Sequence, residues 1–192
     1  MSLNKGSNYL KGAEALVKLL DKYEVQYIFG LCGDTSLPFY DALYRLDHSI
    51  KHILTRDERS ASYMADGYAR VTGKVGICEG PSGGGATYII PGVVEANESS
   101  ISLISFTSDV PTTSYGHFPL TELDQEALFK PLTKWNCVLD KSKNFAKDIM
   151  YDMWQESKSR KNLRAKYITS RENLSRRTRN QRLRLLLLLS KI

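Results

Sequence analysis

Apolar residues along the first hundred positions recur with two alternating spacings, one helical and one strand-like. Residues 11–23 place Ala13, Leu16, Val17, Leu20 and Tyr23 on one face of a helix. The run Tyr27-Ile28-Phe29-Gly30-Leu31 follows and reads as a buried strand ending at Gly33. Ser36 and Pro38 then open a helix through Leu46, Ser36 as its cap and Pro38 in its first turn. His52 to Thr55 predicts a second strand. Asp57 to Thr72 predicts a second long helix with Tyr63, Met64, Gly67 and Tyr68 turned inward. Val75 to Cys78 reads as a third strand, followed by a glycine-rich turn over 80–85, a helix from about Ala86 to Ala96, and a fourth strand from Ile101 to Thr107. Strands alternating with helices at this spacing predict an α/β fold, a doubly wound parallel sheet with helices on both faces. Such sheets hold ligands at the carboxyl ends of their strands, which singles out the loops 31–36, 55–59, 79–86 and 107–121.

Composition changes this picture little. With 192 residues, 42% hydrophobic and 25% charged, the chain suits one ordinary domain. Cys32, Cys78 and Cys137 are widely spaced without a CxxC, which favours neither a disulfide framework nor a zinc site. Cys32 and Cys78 lie in apolar runs and read as small buried thiols. No apolar stretch approaches the ~20 residues of a membrane span, and no signal-peptide pattern opens the chain, so the expected location is cytoplasmic with no membrane partner. The net charge of +6 comes from residues 158–192, where twelve Lys and Arg face only Glu172; the preceding part is net acidic. This tail lacks interleaved aromatics, so it reads as solvated or disordered chain and nucleic acid is not an expected partner.

The candidate chemistry begins at the turn after the third strand. Gly80 to Thr87 has the outline of a P-loop, but Ala86 stands where the essential lysine would be, and no GxGxxG opens the following helix. The turn is therefore a tight strand-to-helix connection that leaves amide donors at a helix start. On pattern alone Glu58, in Arg56-Asp57-Glu58-Arg59, is an acidic residue complementing a helix dipole. His117 is a lone loop histidine, and His48 and His52 flank a strand and look structural.

Arg56-Asp57-Glu58 followed by Met64-Ala65-Asp66-Gly67-Tyr68-Ala69-Arg70-Val71-Thr72-Gly73-Lys74 resembles the helix that carries the catalytic glutamate of thiamine-diphosphate-dependent enzymes. Ser82-Gly83-Gly84-Gly85-Ala86-Thr87, Ile104 to Pro111, and Leu132-Thr133-Lys134-Trp135-Asn136 resemble that family's next blocks in register, so the likeness spans about residues 10–157. It is similar above all to the N-terminal, pyrimidine-binding domain of acetolactate synthase catalytic subunits. The resemblance implies thiamine diphosphate as cofactor and a small 2-oxoacid as substrate. Glu58 would hold the pyrimidine ring nitrogen and drive its tautomer change from an apolar site. Gly33, Gly83, Gly85 and the backbone near Thr87 would line the cofactor side, and Asp34 and His117 join Glu58 as candidate catalytic residues.

Several departures are informative. Where acetolactate synthases read Phe-Gln-Glu, with the glutamine in the active site, this chain reads Leu120-Thr121-Glu122, which makes Thr121 the candidate substrate residue. Asp34 after Gly33 is similar instead to the Gly-Asp of 2-oxoacid decarboxylases, and His117 falls in the loop where those enzymes carry histidines. A split decarboxylase of the sulfopyruvate type is therefore an alternative, and a non-catalytic binding or regulatory fragment a third. The family binds magnesium and diphosphate through a second domain marked by Gly-Asp-Gly. That tripeptide is absent here, so no metal ligand is assigned, and Mg2+ is expected on a missing domain or a partner. The resemblance also implies a homodimer, or a partner chain carrying that domain. Beyond about Glu156 the pattern is lost, as a frameshift or a divergent short subunit would give. The expected organisation is an extension over 1–9, a cofactor-binding domain over 10–157 and a basic tail over 158–192.

Overall fold

The computed structural model describes residues 10–139 and the backbone of 166–170. Six parallel strands form one sheet, β1 (Tyr27–Gly30), β2 (Lys51–Leu54), β3 (Gly76–Gly80), β4 (Leu103–Ser108), β5 (Trp135–Leu139) and β6 (Lys166–Ser170), in the spatial order β2-β1-β3-β4-β6-β5. The predicted parallel α/β fold is present. Side chains alternate across the sheet because the strand period is two. Ile28, Ile77 and Ile104 enter one core with α1 (Gly12–Lys22) and α2 (Leu37–Arg45). Phe29, Cys78 and Leu103 enter the other with α3 (Glu58–Thr72), α4 (Gly84–Tyr88), α5 (Ile90–Glu98) and α6 (Gln125–Phe129).

Local sequence accounts for most element boundaries. The first helix buries Ala13, Leu16, Val17 and Leu20 as expected, together with Ala15 and Leu19. Asp57 caps α3 by accepting from the amide of Arg59, and Gly73 ends it at φ +69°. The single helix expected from Ala86 to Ala96 is two, because Pro91 cannot continue a helix from its interior but suits the first turn of α5. Ser36 closes a short 3-10 turn over Asp34–Ser36 before α2, accepting from the amide of Gly33 at 3.0 Å.

Three expectations need correction. Tyr63 and Met64 are 49% and 41% exposed; the buried face of α3 is Glu58, Ala61, Ser62, Ala65, Asp66 and Ala69. Small side chains on that face let α3 approach the sheet and α5 closely, so residue size misled the inward assignment. Cys32 is exposed because β1 ends at Gly30 and leaves it in the loop, while Cys78 is buried. Strand β6 comes from inside the segment assigned to the basic tail, and pairs with β4 from Ile104↔Lys166 to Ser108↔Ser170 and with β5 on its other side. Its run Tyr167-Ile168-Thr169 has aromatic and β-branched residues of strand preference, which the surrounding charge masked. The extension over 1–9 and the rest of the tail lie outside the described residues.

Candidate functional site

The sheet order places a crevice between β1 and β3. From β1 the chain turns to α2 on one face, and from β3 it turns to α4 on the other, so the connections diverge at the carboxyl ends of these neighbouring strands. This is the topological switch point at which open α/β sheets bind ligands. Gly30 pairs with Glu79 here, and Gly80 with Thr107.

Glu58 reaches this crevice from the β2–α3 connection. It is the first residue of α3, and only 8% of it is exposed. Its side chain lies against glycine backbone: a Cβ on Gly85 would stand 3.1 Å from Glu58 Oε1, and one on Gly80 would stand 3.4 Å from its Cγ. Outside it, the Arg59 guanidinium pairs with Asp57 at 2.7 Å and holds that carboxyl down at about 2. The same guanidinium lies 5.8 Å above the Tyr88 ring and links the start of α3 to the end of α4.

The turn between β3 and α4 organises its neighbours. Gly83 sits at φ +63° and ψ −113°, a conformation that disfavours any side chain, and a Cβ there would be 2.8 Å from Cβ of Thr121. Thr121 itself takes φ +76° and meets the Ser82 hydroxyl at 2.6 Å. Gly33 packs on Pro81, 2.6 Å separating a hypothetical Cβ from Pro81 Cβ, and Thr35 Oγ1 accepts from the Ser82 amide at 2.9 Å. Gly33, Glu58, Gly83, Gly85 and Thr121 thus share one small region built around Pro81-Ser82. Thr87 lies on the exposed side of α4, its hydroxyl donating back to the Gly84 carbonyl at 2.8 Å. Asp34 is exposed at the start of the 3-10 turn. His117 is exposed in the β4–α6 loop, and its amide donates to the Ser114 carbonyl at 3.1 Å.

Sequence reasoning missed the most buried acid of the region. Glu79 is 2% exposed, and its Oε2 accepts from the Tyr40 hydroxyl at 2.6 Å. The same hydroxyl is 3.0 Å from His52 Nε2. Burial pushes the Glu79 carboxyl up to about 8, against the Tyr40 hydrogen bond and the nearby Ser36 hydroxyl that lower it, and the Glu58 charge raises it further. The available signal was a single acid inside the apolar run Ile77-Cys78-Glu79. Gln125 was missed too: it is fully buried, and its amide donates to the Ser108 carbonyl at 2.8 Å, tying α6 to the end of β4.

A buried carboxyl beside a glycine-rich turn can share a hydrogen bond with a nitrogen of a bound group. Metal binding is a different matter. Among the described residues no three His, Cys, Asp or Glu side chains form a group able to hold an ion. No helix among them is long and apolar enough to cross a membrane.

Comparison with known proteins places these features in a family context. Residues 10–128 match the family described as thiamine pyrophosphate enzyme, N-terminal TPP binding domain. The chain is 44% identical over 133 residues to a protein of Methanococcus aeolicus named "Probable acetolactate synthase large subunit", covering 69% of this chain and 22% of that one. A protein of the same name from Methanocaldococcus jannaschii is 45% identical over 132 residues, with 69% and 22% covered. An "Acetolactate synthase" of Arthrospira platensis is 42% identical over 125 residues, with 64% and 22% covered. The matched region therefore spans about a fifth of the length of these relatives.

Proposed function

The chain belongs to the thiamine pyrophosphate enzyme family by its N-terminal TPP binding domain, and on that premise we propose that it grips the pyrimidine half of thiamine diphosphate for 2-oxoacid chemistry of the acetolactate synthase kind. That chemistry is decarboxylation of a 2-oxoacid and transfer of the two-carbon unit. The observation that carries the reading is the placement of Glu58, a buried carboxyl at the first position of α3, pressed against the glycine turn at the switch point of the sheet.

When bound, thiamine diphosphate supplies a nucleophilic thiazolium carbon to which a 2-oxoacid adds. Glu58 shares a proton with the pyrimidine ring nitrogen, and its apolar, glycine-lined surroundings make that hydrogen bond stronger than one in water. Gly33, Gly83, Gly85 and the backbone near Thr87 hold the ring beside it. Thr121, fixed on the turn through Ser82, faces the substrate. Asp34 and His117, both exposed, take proton-transfer roles at the mouth of the cleft. Magnesium and the diphosphate group fall to a further domain or a partner chain.

The exposed Tyr63, Met64 and Tyr88, on α3 and α4 beside Glu58, form the face on which a second copy or that partner docks. Sedimentation showing only monomer at about tens of micromolar would count against self-association. Asp34, next to Gly33 at the crevice, supports a second reading as the pyrimidine-binding subunit of a split 2-oxoacid decarboxylase of the sulfopyruvate type.

The test combines the chain with thiamine diphosphate, magnesium and the part of the Methanococcus aeolicus relative that lies outside the matched region. Proton–deuterium exchange at the reactive thiazolium carbon is the readout. Glu58→Gln keeps size and a hydrogen bond but has no carboxyl proton to share. Cofactor binding survives in that variant, and exchange falls by a factor on the order of 10²–10⁴. Unchanged exchange would return Glu58 to the role of a helix-start carboxylate.

A further inference from the structure

We propose that Glu79, Tyr40 and His52 form a proton relay that lets a carboxyl buried at the switch point exchange protons with solvent through His52.

The geometry is a chain of three groups from three elements. Glu79 is the penultimate residue of β3, Tyr40 lies on α2, and His52 lies on β2, the edge strand. The Tyr40 hydroxyl stands 2.6 Å from Glu79 Oε2 and 3.0 Å from His52 Nε2. A hydroxyl has one hydrogen, so it cannot donate in both directions. When Glu79 is ionised, Tyr40 donates to Oε2 and the His52 Nε2–H donates to the Tyr40 oxygen. When Glu79 carries a proton on Oε2, it donates to Tyr40, and Tyr40 donates to a bare Nε2 whose ring hydrogen sits on Nδ1. The protonation state of the buried acid therefore selects the tautomer of a histidine that is partly exposed.

The exchange balances without any further reactant. A proton from water bonds to His52 Nδ1, the Nε2–H bond breaks as a new Tyr40 O–H bond forms, and the former Tyr40 hydrogen passes to Glu79 Oε2. One proton leaves solvent and one arrives on Glu79; the reverse sequence discharges it. Burial lowers the His52 pKa and raises that of Tyr40, so both middle groups are neutral at physiological pH and able to pass a proton. Other groups acting on Glu79 are Glu58 of α3 and Ser36 in the β1–α2 connection, and the Glu79 charge in turn helps to raise the Cys32 thiol.

Two details shape the relay. Oε1 of Glu79 is buried and has no hydrogen-bond partner among the described residues, so Oε2 links the carboxyl to Tyr40. A Cβ on Gly30 would stand 2.8 Å from Glu79 Oε2 and 3.0 Å from the Tyr40 hydroxyl, so the glycine at the end of β1 leaves room for the contact. The relay belongs to the chain alone and does not depend on the thiamine reading.

The test uses the full chain without cofactor. His48, His52 and His117 are its three histidines, so single substitutions of the other two assign the His52 ring signals in long-range proton–nitrogen spectra. Over the pH range above His52's own protonation, its tautomer switches from Nδ1–H to Nε2–H. The switch shares its midpoint with loss of the protonated-carboxyl infrared band that Glu79→Gln removes. Tyr40→Phe keeps the ring and breaks the link: the carboxyl still titrates, and His52 no longer follows. A His52 tautomer that stays constant through the Glu79 titration, or that follows it equally in Tyr40→Phe, would overturn the relay.

Discussion

A carboxyl with 2% exposure is stable only if it finds partners or keeps its proton, and Glu79 does both. Burial and the neighbouring Glu58 hold it at about 8 against an ordinary 4.5. Between those two values the folded chain retains a proton that the unfolded chain has lost. Linkage then requires stability to fall as pH rises through this window and to level off above about 8. The slope from this one group is roughly 1.4 kcal/mol per pH unit. Glu79→Gln keeps a hydrogen bond to Tyr40 but cannot ionise, so its urea midpoint should change less between pH 5 and 8 (about the limits set by the two pKa values) than the wild-type midpoint does. Parallel curves for the two proteins would mean that Glu79 ionises in the fold at its ordinary pKa. Cys78, fully buried and pushed up to about 12, remains a thiol throughout this range.

The helices show how packing can oppose intrinsic preference. Gly67 lies inside α3 and Gly92 in the first turn of α5, and in a helix interior alanine is the better former by about 1 kcal/mol. A Cβ on Gly67 would meet nothing within 4 Å, whereas one on Gly92 would lie 2.6 Å from the carbonyl carbon and 2.7 Å from Cβ of Ser62. Gly67→Ala should therefore stabilise by up to about 1 kcal/mol. Gly92→Ala should destabilise, because forcing α5 off α3 costs about 1–3 kcal/mol and outweighs the propensity gain. Thermal or urea unfolding of both variants checks the pair, and shifts of the same sign would refute the contact between Gly92 and Ser62. The same interface shows what sequence patterns could convey. Helices α1, α2 and α3 were legible because their apolar spacing repeats over enough residues to define a helical period, and β1 to β4 as short apolar runs alternating with helices. Helix α6 spans five residues, too few to define that period, and β5, also five residues, lies outside this alternation. On α3 the large Tyr63 and Met64 outweighed the alanines, although close approach to α5 needs small residues. In the site, Glu58, Gly33, the turn over 80–87 and Thr121 were singled out by the resemblance to family blocks, since on local pattern alone Glu58 reads as a helix-start carboxylate. The link from Glu79 to Tyr40 joins residues 39 apart in sequence and that from Tyr40 to His52 residues 12 apart, so neither leaves a local pattern.

At the scale of the whole molecule, the order β2-β1-β3-β4-β6-β5 makes the sheet depend on residues well beyond the family match, which ends at 128. Strand β6 is the only described partner of β5 and covers the side of β4 away from β3. A chain ending at residue 157 keeps all the residues that resemble the cofactor domain and loses β6. Its β4 then presents an open edge from Leu103 to Ser108, and β5 has no strand to pair with. Unpaired backbone groups at a sheet edge are both destabilising and a template for association with other chains. Because Gly80 pairs with Thr107, loosening β4 also loosens the β3 end that carries Glu79 and the turn against Glu58. The shortened chain should therefore exchange its β4 amides faster than the full chain does, aggregate at lower concentration, and lose protection at Glu79 and Gly80 while keeping it in α1 and β2. Hydrogen exchange read by mass spectrometry on both chains decides this. Equal protection of residues 103–108 in the two would remove β6 from the sheet and restore 158–192 as a tail outside the domain.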